Sequence, residues 1–418
     1  MSFCRSASNK NSYHLVTLTK AFGFLRNLRV LRCYGSYSSS ERFQDILQAI
    51  PPSIEHILYS TCIVFLVHLS HLTYMISHIS LDITGSLPNL EYLEYRNVMY
   101  FLEDGTSNIA FFSPAPNYTL KNLKFNSAIH TRLKALAIDT VWMTWIPIWV
   151  YNQLISLEIN NDNPLSPINV DFICHHCPIL EDFSATGEIL ASFCLSLPQE
   201  TTFPRLQSLR LSCEGTAAGS GPEDTYFGAL SYFIRAHRNL RRLYLRFPDA
   251  SWSQVKSLLE DVHILPNLRV LGFHTGMKGL TEDELGYLVS FIPSSIKALH
   301  LSMFWSVTTG NHVSILVRPP QSCAVATLST FSQMNALSAM PNLRFLHICS
   351  TYLLLPFSPD ELSMDLQRLE RVGLARDLWD IDRSGPVIQT HKWPRWKVKF
   401  FTESDFGDPD DAWLFKYP

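Results

Sequence analysis

"RNLRRLYLR", residues 238–246, decides the fold. Leucine stands at 240, 243 and 245, in the form L-x-x-L-x-L. The form recurs as "RNLRVLRCY" (26–34), "PSIEHILYS" (52–60), "PNLEYLEYR" (88–96), "NQLISLEIN" (152–160), "PILEDFSAT" (178–186) and "PRLQSLRLS" (204–212). It continues as "PNLRVLGFH" (266–274), "SSIKALHLS" (294–302), "PNLRFLHIC" (341–349) and "QRLERVGLA" (367–375). Alternation of apolar and polar positions within each copy predicts a strand with one buried face.

Leu154, Leu180 and Leu206 follow one another at about 26 residues, and Leu240, Leu268 and Ile296 at about 28. Both intervals lie inside the roughly 20 to 29 residues of a leucine-rich repeat, in which each unit supplies a strand and a return segment. "FGALSYFIRAH" (227–237), "SWSQVKSLLEDV" (251–262) and "TEDELGYLVSFI" (281–292) carry apolar residues at helical intervals, the last two behind a Ser or Thr N-cap. The expected fold class is therefore α/β: a right-handed leucine-rich-repeat solenoid, or horseshoe, with parallel strands on the concave face and helices on the convex face. Two places are less regular. "TLKNLKFNS" (119–127) and "TRLKALAID" (131–139) lie too close together for both to be ordinary units, and the long interval from Ile54 to Leu90 has room for a degenerate unit around Leu69 to Leu81.

"FICHHCPILEDF" (172–183) invites a metal reading, with Cys174 and Cys177 flanking His175 and His176. A structural zinc site takes four ligands, commonly from two paired knuckles, and no second C-x-x-C occurs in the chain. The repeat supplies another account. An apolar residue and a proline precede several units: Leu87-Pro88, Phe203-Pro204, Leu265-Pro266 and Met340-Pro341. Cys177-Pro178 falls in that register, so Cys177 is expected to pack as a small hydrophobe. No metal and no cofactor is expected.

The chain has 418 residues, 46% hydrophobic and 17% charged, with a formal net charge of -3. That is enough apolar material for a large core, and the charge speaks against nucleic acid as the main partner. The 9 cysteines are irregularly spaced, as in a reduced intracellular protein, and no apolar run has the length of a membrane span. The expected location is cytoplasmic or nuclear, with neither a nucleic-acid nor a membrane partner. No phosphate-binding loop, H-E-x-x-H or G-x-S-x-G motif is present, and no enzymatic activity is expected.

Residues between the leucines project onto the opposite face of the strands, where stacking sets equivalent positions side by side. One such column reads Arg32, Glu94, Glu158, Ser184, Arg210, Tyr244, Gly272, His300, His347; the next includes Arg246 and His274; a third contains Tyr92, Asp182, Ser208, Arg242 and Phe345. Arg210, Arg242, Tyr244 and Arg246 converge on neighbouring repeats, and His274, His300 and His347 continue the cluster. Arginine and tyrosine are favoured interface anchors. The candidate partner-binding residues are these seven with Glu158 and Asp182, read against the alternative of a solvated polar wall. Two insertions, 213–226 and 304–331, are further candidates for binding or for decoration. Trp142, Trp145 and Trp149 are spaced as on a helix and are expected to pack in the convex layer.

The repeats preceded by "CPILEDF" and "LPNLRVL" segments resemble the ribonuclease-inhibitor-like repeats of F-box proteins. The tail, "WPRWKVKFFTESDFGDPDDAWLFKY" (393–417), resembles the C-terminal end of the F-box-like family of basidiomycete fungi. The resemblance implies a substrate-recognition subunit of a cullin-type ubiquitin ligase, with a protein target on the concave face and the ligase's adaptor as a partner through an F-box. Residues 1–23 lack the Leu-Pro opening of that motif, so this segment is expected to be incomplete, any F-box being supplied upstream. Residues 24–376 are expected to form about twelve repeats and 377–418 a C-terminal cap. In the cap, Trp393, Trp396, Phe400, Phe401, Trp413 and Phe415 are expected to cover the last repeat and the acidic run Asp405 to Asp411 to stay in water. The alternative function is a leucine-rich-repeat scaffold with no ligase link.

Overall fold

The computed structural model describes residues 2–5, 20–35, 51–66, 92–102, 109–111, 133–161, 170–187, 203–213, 223–275, 282–303, 337–350 and 358–415, apart from a few positions inside these spans. The chain forms two compact units, one of Met1–Glu188 with Phe203–Arg205, the other of Ile189–Thr202 with Leu206–Pro418.

In the first unit the strands are β1 (Ser2–Arg5), β2 (Val30–Gly35), β3 (His56–Leu66), β4 (Tyr92–Leu102), β5 (Ile109–Phe111), β6 (Ala135–Asp139), β7 (Ser156–Asn161) and β8 (Asp182–Gly187). All pair in parallel with their neighbours in chain order except β5, which lies antiparallel on the end of β4. β3 pairs directly with β4, from His56↔Tyr92 to Leu66↔Leu102. Of the two crowded copies, "TRLKALAID" supplies β6; "TLKNLKFNS" lies outside the described residues, as do residues 67–91. Short helices α1 (Ile148–Tyr151) and α2 (Val170–His176) precede β7 and β8. Trp149 is half-buried beside α1's exposed Ile148, whereas Trp142 and Trp145 lie outside the described residues.

The second unit continues the pattern with β9 (Ser208–Ser212), β10 (Arg242–Phe247), β11 (Val270–Thr275), β12 (Ala298–Met303), β13 (Phe345–Ser350) and β14 (Arg371–Leu374), all parallel. Between them come α3 (Glu223–Ala236), α4 (Trp252–His263), α5 (Glu282–Ser290) and α6 (Pro359–Asp365). The N-terminal signals work as the residue types require. Ser251 N–H donates to Gln254 Oε1 at 2.8 Å ahead of α4, and Ser358 Oγ accepts from the Glu361 amide ahead of α6. The parts of the two insertions at 214–222 and 304–331 lie outside the described residues.

Among the described residues, the leucine positions of the form are buried from Leu133 onward, while Leu28 of the first copy is half-buried. Leu240, Leu243 and Leu245 are fully buried, as are Leu268, Ile296, Leu299 and Leu301, and the first unit matches with Leu154, Leu157 and Ile159. Each such side chain contributes about 1.5–3 kcal/mol through burial, and it does so only because the next unit covers it. Polar side chains stitch the units together: Asn267 and Asn342 donate to the carbonyls of Arg238 and Ser294, and Ser295 to that of Leu268. This gives the recurring Asn of "PNL" a structural role. The apolar slot before each unit is also buried at Phe203, Leu265, Met340 and Cys177.

Beyond β14 the chain reverses. β15 (Asp377–Asp382) and β16 (Gln389–Lys392) pair antiparallel to β14 and to each other, after a turn in which Ala375 takes a φ of 53°. The tail then forms α7 (Arg395–Lys399), α8 (Glu403–Phe406) and α9 (Pro409–Phe415). Alternation puts Leu243, Leu245 and Phe247 of β10 on one face and Arg242, Tyr244 and Arg246 on the other. Phe247 meets Phe227 of α3, with ring centroids 5.4 Å apart, whereas Arg242 meets Asp410 and Trp413 of α9. Helices therefore cover one face of this sheet and the tail covers the other.

Two expectations for the tail are corrected. It does more than cover the last repeat, reaching back along the sheet as far as Arg210 on β9. The acidic run does not stay in water, because Asp410 and Asp411 are buried, each against arginine. Of the aromatic residues assigned to the cap, Trp393 and Phe415 are buried, Phe401 and Trp413 partly buried, and Trp396 is 68% exposed; Phe400 lies outside the described residues.

Candidate functional site: an arginine-lined sheet face

The outward columns of the second unit are in the register read from the sequence. Arg210, Tyr244, Gly272, His300, His347 and Gly373 are successive partners, as are Ser212, Arg246, His274, Ser302 and Cys349. A third column, Ser208, Arg242, Val270, Ala298, Phe345 and Arg371, is apolar in its middle and has arginine near both ends. In the first unit Glu158 partners Ser184, and Asp182 partners Ser156; Glu158 and Asp182 are half-buried.

The apolar middle of the third column is the floor of a second core. Val270, Ala298 and Phe345 are buried together with Tyr244 from the sheet and with Trp393, Phe406, Ala412, Leu414 and Phe415 from the tail. Phe406 meets Phe345 with ring centroids 6.0 Å apart, and Phe415 meets His347 at 5.1 Å. Tyr244 lies over Gly272, where a Cβ would strike its ring, and His347 lies over Gly373 in the same way. Gly272→Ala is expected to cost about 1–3 kcal/mol, because the buried tyrosine ring has no room to retreat. Urea unfolding of the variant measures this, and an unchanged midpoint would refute the account.

Ion pairs rim this core. Asp410, with no exposed surface, accepts from Arg242 Nε at 2.8 Å through one oxygen and from Arg241 Nη2 at 2.8 Å through the other. Arg371 donates to Asp380 at 2.8 Å, to the Phe406 carbonyl at 3.0 Å and to Asp411 at 3.3 Å. Arg344 pairs with Asp408. Arg210 donates to the Trp413 carbonyl at 2.7 Å, and its guanidinium lies 4.4 Å from the Trp413 ring and 4.9 Å from that of Tyr244. Such stacked and paired geometry suits arginine's planar fork and not lysine's point charge. Burial pushes Asp411 up to about 7 despite the opposing pull of Arg371.

Of the expected binding residues, Arg210, Arg242, Tyr244, His300 and His347 come together beneath the tail. Arg246 and His274 are register partners in the next column and half-buried, Arg246 lying 3.4 Å from Ser212 Oγ. Sequence reasoning missed Arg241, Arg344 and Arg371 and their aspartate partners. It also passed over Val270 and Ala298, two apolar residues at successive outward positions, which were a visible sign that something covers this face.

The histidines are neutral packing elements. His347 Nε2 lies 2.8 Å from the Ala375 carbonyl, so it carries the proton; its Nδ1 then accepts from His300 Nδ1 at 2.9 Å. Burial holds His347 down at about 4 and His300 well below its ordinary value. Among the described residues these two and Cys349 are the only group of three potential metal ligands within reach of one another. Cys174 and Cys177 are not in such a group: burial pushes both thiols up to about 12, while His175 is exposed and 2.9 Å from its own helix at the Asp171 carbonyl.

A stacked strand-and-return unit with buried L-x-x-L-x-L positions defines an α/β protein of leucine-rich-repeat type. No protein-family model and no curated protein matches the chain. Among solved structures it is similar to a leucine-rich-repeat protein of Leptospira interrogans, at 14% identity over 85% of this chain and 80% of that one, with a TM-score of 0.29. No helix among the described residues is long and apolar enough to cross a membrane.

Proposed function

We propose that the chain is a protein–protein interaction module: a right-handed leucine-rich-repeat horseshoe that holds a protein target on its concave, strand-lined face and acts by binding, not catalysis. One observation supports this above the others. The sheet face of the second unit already holds a protein segment, residues 403–415, through arginine–carboxylate pairs around an apolar floor. Arg246 and His274, half-buried register partners in the neighbouring column, are the residues assigned to a target there. In the first unit the corresponding residues are Glu158 and Asp182.

The finer reading rests on the sequence resemblance: an F-box-like substrate-recognition subunit of a cullin-type ubiquitin ligase, or a truncated relative, working in the cytoplasm or nucleus. In it, residues 24–376 form the recognition solenoid and 377–418 its cap. Affinity purification from basidiomycete cells tests it, with the intact chain beside Arg246→Ala/His274→Ala. Recovery of cullin and adaptor with both chains, and of further proteins with the intact chain alone, is the expected result. Partners recovered without the ligase core make the chain a scaffold with no ligase link. The same partners at the same yield from both chains remove the assigned residues from the interface.

A further inference from the structure

The tail meets the sheet as a ligand would. Residues 403–415, "ESDFGDPDDAWLF", carry five carboxylates and no lysine or arginine, and they face Arg210, Arg241, Arg242, Arg344 and Arg371. The match is ordered along the sheet. Asp410 pairs at Arg241 and Arg242, Asp411 at Arg371, and the aromatic and aliphatic side chains fill the apolar column between them. α8 and α9 have 4 and 7 residues, too short to persist as helices without the sheet beneath them. The segment follows β16 and contributes no strand itself, so its release from the sheet breaks no strand pairing.

The docking is also imperfect. Asp411 Oδ1 is buried with no hydrogen-bond partner, a polar atom that gave up water without replacement. His300, His347 and Tyr244 have almost no exposed surface while the tail is down, so no target can read them in that state.

We propose that the arginine-lined face is a docking seat for acidic, aromatic protein segments, and that residues 403–415 are its built-in occupant, which a target segment of the same chemistry displaces. This rests on the reading of the chain as an interaction module and names the chemistry of its partner. A competitor needs carboxylates at the spacing of Asp408 and Asp410 to engage the arginines. It also needs an aromatic anchor near the place of Trp413 or Phe415, because the apolar floor otherwise returns to water.

The test uses the full chain and a fluorescein-labelled peptide of sequence ESDFGDPDDAWLF. Wild type is compared with Asp410→Asn/Trp413→Ala, which weakens the attached tail and leaves the arginines intact. The variant is expected to bind the peptide about tenfold tighter or more, since apparent affinity scales with the fraction of seats left open. Binding should vanish when Arg241→Ala and Arg242→Ala are added together, and when the peptide's aspartates are replaced by asparagine. Hydrogen exchange supplies the folding control: residues 403–415 should lose protection in the variant while 242–275 keep theirs.

Equal affinity for both chains, or no binding to either, overturns the proposal. So does loss of protection throughout 242–275, which would make the tail an inseparable part of the fold. If cellular partners are captured by the wild type while the variant ignores the peptide, the interaction-module reading stands and the shared-seat inference alone falls.

Discussion

Asp410→Ala should destabilise the second unit by about 3 kcal/mol, the lower end of the cost of breaking a buried ion pair from one side. Asp410 has no exposed surface, and both of its oxygens are spent on guanidinium groups, Arg242 Nε at 2.8 Å and Arg241 Nη2 at 2.8 Å. Truncation leaves two positive charges side by side with no anion between them. The estimate sits low in its range because the arginine side chains keep 37% and 21% of their surface, so water takes up part of the loss. Asp408 shapes the turn into α9, its Oδ1 accepting from the Asp410 amide at 2.9 Å; that bond uses only the backbone of Asp410 and survives the substitution. Arg242→Ala should cost less, since Arg241 remains to hold Asp410, and the double variant should cost less than the sum. Urea unfolding followed through the exchange protection of 242–275 measures all three. A shift below about 1 kcal/mol for Asp410→Ala would show that the pair contributes no more than an exposed one.

The strands were legible in the sequence because leucine repeated at a fixed interval and each copy alternated. The register followed from stacking equivalent positions, and so Arg210, Tyr244, Gly272, His300 and His347 could be written as one column and are one. Cys177 was legible for the same reason: a cysteine at a position that other units fill with Phe, Leu or Met is a packing residue, whatever histidines flank it. The tail's position was not legible from the usual rule that carboxylates stay in water. That rule yields where a charge finds its partner, and Arg242 finds Asp410 across 168 residues of chain, a distance over which no local pattern speaks. The information was nonetheless present. Val270, Ala298 and Phe345 make an outward column apolar over three successive units, flanked by Arg242 and Arg371. The tail repeats the complementary order, with aspartates at 410 and 411 beside Ala412, Leu414 and Phe415. Reading columns for charge alone hid the match; reading them for hydropathy as well would have exposed it.

Asp411→Asn should stabilise the protein at neutral pH and leave it unchanged near pH 4. Asp411 is 3% exposed, and burial raises its pKa from 3.8 to about 7, against the lowering influence of Arg371 and Arg344 and with Asp408 and Glu370 adding to the rise. A folded-state value above the unfolded one means that the protonated form is the better fit. The stability associated with it is fully present below pH 3.8 and is lost as pH rises through about 7. The rise from 3.8 to about 7 corresponds to roughly 4 kcal/mol between those limits. The asparagine is neutral at every pH and keeps an oxygen for Arg371, so the variant escapes the loss. The histidines act in the opposite sense over an overlapping window. His347 falls from 6.5 to about 4, so its share of stability is present above pH 6.5 and disappears as pH drops through 4. The wild-type profile therefore sums two opposed slopes, and only the difference between variant and wild type isolates Asp411. Urea midpoints at half-unit steps from pH 4 to 8 should show that difference growing steadily up to about pH 7 and then levelling. A difference independent of pH would mean that Asp411 ionises at an ordinary value and that Arg371 neutralises it fully. A growing difference would mean that mild acidification tightens the tail on the sheet, because the proton removes the charge whose burial works against docking.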